Sequence, residues 1–261
     1  MRRRLVAAAM GTAVVAAGWV ASAASAPRPT CFGARATIVG NGRNNVLVGT
    51  GGADVIWGGR GNDVVRGGGG NDRICGARGH DELGGRTGND LVSGGLGNDV
   101  ITGGPDNDRL RGGGGSDRMN TGYHSDAASG GPGRDTLRGG RGRGFDSLYG
   151  GGERDTLRGG KGEDRLAGGG GDDLLVGGLT TQESDGGSQG AVDTLYGGEG
   201  NDSAYGGGGN DALRGGPGND AEWGQAGDDR LDGGRGRDRL DGGDGDDDCT
   251  NGPVTANCEG P

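Results

Sequence analysis

The sequence predicts an all-β stack of short coils, each built from two copies of a nine-residue unit with a turn at either edge. Three observations predict it. Glycine fills 72 of 261 positions while hydrophobic residues make up only 29 % of the chain. Counted likewise without glycine, ordinary soluble domains hold roughly 40 %, so an ordinary globular core is excluded. Aspartate recurs every nine residues along most of the chain, and each nine-residue unit carries one aliphatic residue at a constant place. Composition alone would also suit a disordered chain, because burial this sparse does not offset chain entropy. Collagen is excluded by seven prolines and the lack of a three-residue period.

Residues 1–26 differ from all that follows. Arg2, Arg3 and Arg4 precede an apolar stretch from Leu5 to Val20, and small residues run from Ala21 to Ala26. This is the layout of a secretory signal peptide. Cleavage is expected near 23–26: an A-x-A ends at Ala26, but Pro27 would follow that cut, so Ala23 and Ala24 serve equally. The apolar run is shorter than the roughly 20 residues a membrane span needs, and no later segment of the mature chain could cross a membrane. Loss of three arginines takes the net charge from −10 to −13. An acidic chain with one lysine, Lys161, is unsuited to nucleic acid, whose phosphates require basic residues. The mature chain divides into an N-terminal cap and entrance repeats (27–45), the main repeat region (46–250) and a C-terminal cap (251–261).

The repeat frame is carried by aspartate. Asp54, Asp63, Asp72, Asp81, Asp90, Asp99, Asp108, Asp117, Asp126 and Asp135 follow one another without a slip. Asp146, Asp155, Asp164 and Asp173 resume after a two-residue lag, and Asp193, Asp202, Asp211, Asp220, Asp229, Asp238 and Asp247 complete the series. A clean copy is Gly58-Gly59-Arg60-Gly61-Asn62-Asp63-Val64-Val65-Arg66, giving G-G-x-G-(N/D)-D-x-U-x with U aliphatic. Between Asp173 and Asp193 the expected reading is one decayed copy with Gln182 in the aspartate slot, then a copy two residues too long. Ile38 and Leu47 continue the frame backwards without the aspartate.

This nonapeptide resembles the RTX, or haemolysin-type, calcium-binding repeat, and the resemblance covers about residues 36–250. It implies a parallel β-roll, a right-handed β-solenoid of about eleven 18-residue coils, in which the first six residues of each copy form a turn that binds Ca2+ and the last three a short strand. Multiple Ca2+ ions are then the implied cofactor. All the aspartates named above except Asp126 are the expected ligands. The copy from Thr121 to Asp126 lacks the first and fourth glycines, so a weak or absent site is expected there.

Elementary chemistry agrees with the resemblance. Glycine permits positive φ, and aspartate supplies the hard oxygen that Ca2+ takes. The x-U-x tripeptide points out, in, out, so U is the inward side chain. Asp54, Asp72 and Asp90 then stack on one edge, and Asp63, Asp81 and Asp99 on the other. Coils lie roughly 4.8 Å apart, and bare carboxylates at that spacing repel, so the chain is expected to need the ion in order to fold. One inward column is apolar from Leu47 to Leu231. The other weakens at Ala128, Ser184, Ala204 and Glu222. A buried Glu222 is costly, so a local shift bringing Trp223 inward is expected.

Four cysteines in a secreted chain suggest disulfides. A stack of about eleven coils separates its ends by about 50 Å, whereas bridged Cα atoms lie within about 7 Å. The expected pairs are therefore Cys31–Cys75 and Cys249–Cys258, each clamping one end of the stack.

Enzyme signals are absent or accidental. Gly186-Gly187-Ser188-Gln189-Gly190 is a chance G-x-S-x-G without the strand-to-helix elbow that activates its serine. His80 and His124 lie too far apart for a shared site, and Asp244–Asp248 lacks the glycine and terminal glutamate of an EF-hand loop. The strand-flanking Arg66, Arg111, Arg138, Arg158 and Arg214 are expected to form a solvated outer face. The resulting expectation is a secreted, extracellular calcium-binding repeat protein with a structural or envelope role and no enzyme activity. A calcium-dependent adhesion module is the alternative, and a hydrolase or toxin relative the weaker one.

Overall fold

The computed structural model describes residues 28–178, 191–252 and 254–258. Among them every regular element is a strand. Twenty-four of these strands form two parallel sheets of twelve, and successive strands alternate between the two sheets. Each strand pairs with the strand two copies later, so Leu47, Val65, Leu83, Ile101, Met119, Leu137, Leu157 and Leu175 stand in one column. The chain is thus a β-solenoid of 18-residue coils. Residues 1–26, where the signal peptide is expected, lie outside the described residues.

Most strands are longer than the tripeptide suggests. Val64–Gly69 runs six residues, through x-U-x and into G-G-x. The physical reason is that glycine carries no side chain to collide with the next coil, so backbone pairing continues until the chain bends. Along that strand Val65 and Gly67 face inward, so the core is one aliphatic residue wide and flanked by bare glycine backbone. The aliphatic columns are almost wholly buried, from Leu47 at 7 % exposure to Ile56 at 0 %. Close coil stacking explains the glycines. Gly97 has a φ of 129°, and a Cβ there would strike the Gly79 carbonyl of the preceding coil.

Two sequence expectations are revised here and a third is sharpened. First, Leu166 pairs with Leu195 and Leu175 with Ala204. The stretch from Asp173 to Asp193 is therefore one copy with a long insertion, not two copies, and beyond it the residues expected in one inward column stand in the other. Gln182 and Ser184 lie outside the described residues. The shorter lag before Asp146 is, as expected, a bulged turn, since Leu137 still pairs with Leu157. Second, Glu222 does point inward, at 0 % exposure, in unbroken register between Ala204 and Leu240. Trp223 stays outside, stacked on Tyr205 with ring centroids 4.5 Å apart. Ladders on both sides and this stack hold the register, and the small Ala204 leaves room beside the carboxylate. Third, the two bridges form with the expected partners, Cys31–Cys75 and Cys249–Cys258, but they do different work. Cys31 belongs to an antiparallel hairpin, Thr30–Cys31 with Ala34–Arg35, which the bridge fastens to the outward side of the strand Arg73–Arg78. Cys249 is inward and buried and Cys258 packs against the core, so the second bridge plugs the end of the stack.

The steric role of the turn glycines is open to measurement. Gly97→Ala is expected to destabilise the folded chain by at least about 2 kcal/mol, from positive φ and the backbone clash together. Gly152→Ala, where an added Cβ meets nothing within 4 Å, is expected to stay within about 0.5 kcal/mol of the parent in denaturant unfolding.

Candidate metal sites in the turns

The sixth residue of each copy ends the turn just before its strand, and the chain turns its side chain into the stack. Except for half-buried Asp54, the turn aspartates are no more than 4 % exposed. One carboxylate oxygen of each is used by the protein. The Asp63 backbone N–H donates to Asp81 Oδ1 at 2.8 Å, Asp81 N–H to Asp99 Oδ1 at 2.8 Å, and Asp99 N–H to Asp117 Oδ1 at 2.7 Å. The opposite edge repeats this from Asp72 through Asp90 to Asp108. The ladder crosses the insertion intact, from Asp164 to Asp193 at 2.7 Å and from Asp173 to Asp202 at 2.8 Å. The two aspartate edges expected from the spacing are thus present, and each aspartate is also a rung between coils.

The other oxygen has no partner. Oδ2 is buried and without a hydrogen bond in every aspartate named as a ligand except Asp54 and Asp146. A Cβ built on Gly58 would lie 2.7 Å from Asp63 Oδ2 and 2.8 Å from the Gly76 carbonyl of the next coil. A carboxylate oxygen and a backbone carbonyl oxygen therefore converge on the space that glycine leaves open, and the same arrangement recurs along both edges. Among the described residues no three His, Cys, Asp or Glu side chains converge, so a cation here draws on carbonyls as well as carboxylates. Such an all-oxygen set suits a hard divalent ion, Ca2+ above all, and the residues present fit it.

Departures from the pattern mark where the fit fails. Asp54 Oδ2 accepts from the Thr50 backbone N–H at 2.6 Å and from its hydroxyl at 2.8 Å, so this turn satisfies its own carboxylate. In the copy ending at Asp126, Thr121 stands where other copies have the first glycine. Its buried hydroxyl donates to the Gly139 carbonyl and lies against the Asp126 carboxylate, filling the space that is open elsewhere. Asp126 is still a rung, accepting from Asp108 N–H at 2.7 Å.

Burial makes these carboxylates reluctant to ionise. It raises Asp108 to about 8, held back by the Asp90 N–H and pushed further by the charges of Asp90 and Asp126. Asp164 and Asp211 also reach about 8 and Asp117 about 7, burial again being the largest cause. Glu222 rises to about 8 through burial and then the charge of Asp220.

A second ladder escaped the sequence reading. The residue before each aspartate links coils as well: Asn62 N–H donates to Asn44 Oδ1, His80 N–H to Asn62 Oδ1, and Asn98 N–H to His80 Nδ1 at 2.8 Å. The recurrence of asparagine one place before aspartate was its signal. His80 is a rung in this ladder, and His124 Nδ1 accepts from Asp106 N–H. The flanking Arg66, Arg111, Arg138, Arg158 and Arg214 are exposed, and the Arg214–Asp232 pair at 3.3 Å lies on that wet outer face, where ion pairs contribute little. The G-x-S-x-G at 186–190 lies outside the described residues.

Fold and site together define a solenoid whose stacked turns present oxygen ligands to hard cations. The family model described as RTX calcium-binding nonapeptide repeat (4 copies) matches residues 39–74, 48–83, 84–119, 120–143, 149–179, 189–221 and 223–253, and the chain belongs to that family. Comparison with curated proteins gives no match.

Two outcomes follow for the site. A group whose folded pKa is raised contributes stability that is complete below its unfolded value, near 3.8, and is lost as pH rises through the folded value, about 6 to about 8 here. In chelator, β-structure followed by circular dichroism is therefore expected at pH 4 and expected to disappear by pH 8. In equilibrium dialysis, Asp99→Asn is expected to lower the calcium bound, whereas Thr121→Gly is expected to raise it by opening the blocked space.

Proposed function

We propose that this chain is a secreted protein that folds on binding multiple Ca2+ ions and serves a structural role outside the cell or at its envelope, without catalysis. The observation that carries the reading is the double column of buried, unpartnered Oδ2 atoms, each facing the space beside a glycine. A buried bare carboxylate is costly, and a divalent ion between coils removes that cost while joining one turn to the next. Two disulfides accord with an oxidising compartment, and the basic, apolar and small-residue layout of residues 1–26 supports export. The ligands in this reading are the aspartates with free Oδ2, apart from Asp126, whose space Thr121 fills. Asp146 is added by its place in the series, and Asp54 is the weakest candidate because Thr50 already satisfies it.

An adhesion role is the second reading. A groove beside the N-terminal hairpin is lined by Pro29, Val39, Trp57 and Leu96 together with Arg60 and Arg78. This combination of apolar and basic groups on an outer face suits surface contact.

Far-UV circular dichroism during a calcium titration at pH 7.5 tests the first reading. A disordered spectrum is expected in chelator and a β spectrum by roughly millimolar Ca2+, the range of extracellular calcium modules. A chain equally folded in chelator at that pH would overturn it.

A further inference from the structure

Glu222 is the one fully buried acid among the described residues that falls on no turn position. It holds an inward aliphatic place, and neither of its carboxylate oxygens has a hydrogen-bond partner. No other described position of the aliphatic columns carries a side-chain oxygen. A carboxylate in such surroundings either keeps a proton or is given a cation.

The surroundings are rich in negative charge, which draws a cation. Glu222 stands two residues after Asp220, with both side chains buried and turned inward, and the charges of Asp220, Asp232 and Asp238 act on it. Gly215 opens the turn that Asp220 closes, and Asp220 Oδ2 lies directly against the Gly215 Cα, at the place of a missing Cβ. That Oδ2 is itself buried and unpartnered. Two bare carboxylates, one from the turn edge and one from the core, therefore point inward from neighbouring inward positions of one coil.

We infer that Glu222 is an additional ligand of the cation site in the turn from Gly215 to Asp220, reaching it from inside the roll. This rests on the calcium reading above and extends it. Ligand charge sets the affinity of oxygen-only sites, so a second carboxylate makes this turn the tightest of its edge, and more strongly so for a trivalent than for a divalent ion. Trp223, the next residue, lies outside on the same strand and is placed to sensitise a lanthanide bound there.

The test uses the full chain with Tb3+ as probe and reads the luminescence component that Trp223→Phe abolishes. Glu222→Leu is the main variant, since leucine already fills the facing inward positions Leu213 and Leu231 and keeps the core intact. It is expected to raise the Tb3+ needed to fill the Trp223-reported site by at least about tenfold, with calcium binding elsewhere unchanged by equilibrium dialysis. Glu222→Gln, which keeps an oxygen without the charge, is expected to give a smaller shift. A parent chain that binds neither ion sinks the calcium reading itself. A chain that binds both is a different matter. If its Glu222→Leu variant fills the Trp223-reported site at the parent's concentration, or if the parent has no Trp223-sensitised component, the calcium reading stands and this inference is overturned.

Discussion

Each turn aspartate divides its carboxylate between two tasks, and the rest of the structure depends on that division. Oδ1 accepts the backbone N–H of the aspartate one coil earlier, so it sets the spacing and register of the edge. Oδ2 is left in a dry space beside a glycine and a carbonyl. The first task requires the side chain to be buried, and burial is what makes the second oxygen costly without a cation. The coil spacing and the fit for a cation are therefore two consequences of one placement.

The core supports this arrangement without dominating it. One aliphatic residue per copy, about 1.5–3 kcal/mol for each side chain buried, is a thin contribution against the entropy of ordering nine residues. The apolar columns choose which face of each strand points inward. Stability at neutral pH is left to the edges, where protons or cations must quiet the carboxylates. The two disulfides act only at the ends, one on the outer face and one in the core.

Because each coil touches only its neighbours, departures from the pattern stay local. Thr121 blocks one turn while Asp126 continues the ladder. The insertion between Asp173 and Asp193 lengthens one copy, yet each column continues in its own sheet and Asp164 still finds Asp193. Glu222 puts an acid in the core without breaking the register on either side. Each departure changes what a turn can hold and leaves the stack standing.

The period, the inward aliphatic alternation, the two aspartate edges and the pairing of the cysteines were legible in the sequence. Each is a matter of local spacing, or of distance along a regular stack. Other features were not. Twenty residues from Asp173 to Asp193 keep the downstream frame whether they form one copy or two, but the choice decides which sheet Leu195 and Ala204 join. Only the pairing of strands 29 residues apart settles it. The inward Glu222 and the split use of each carboxylate were equally hidden. They depend on what the adjacent coil places within a few ångströms, and that neighbour is about eighteen residues away in the chain. The sequence by itself determined the repeat and the chemical kind of its sites. The tertiary structure alone decided which sites are open, because stacking sets the space around each carboxylate.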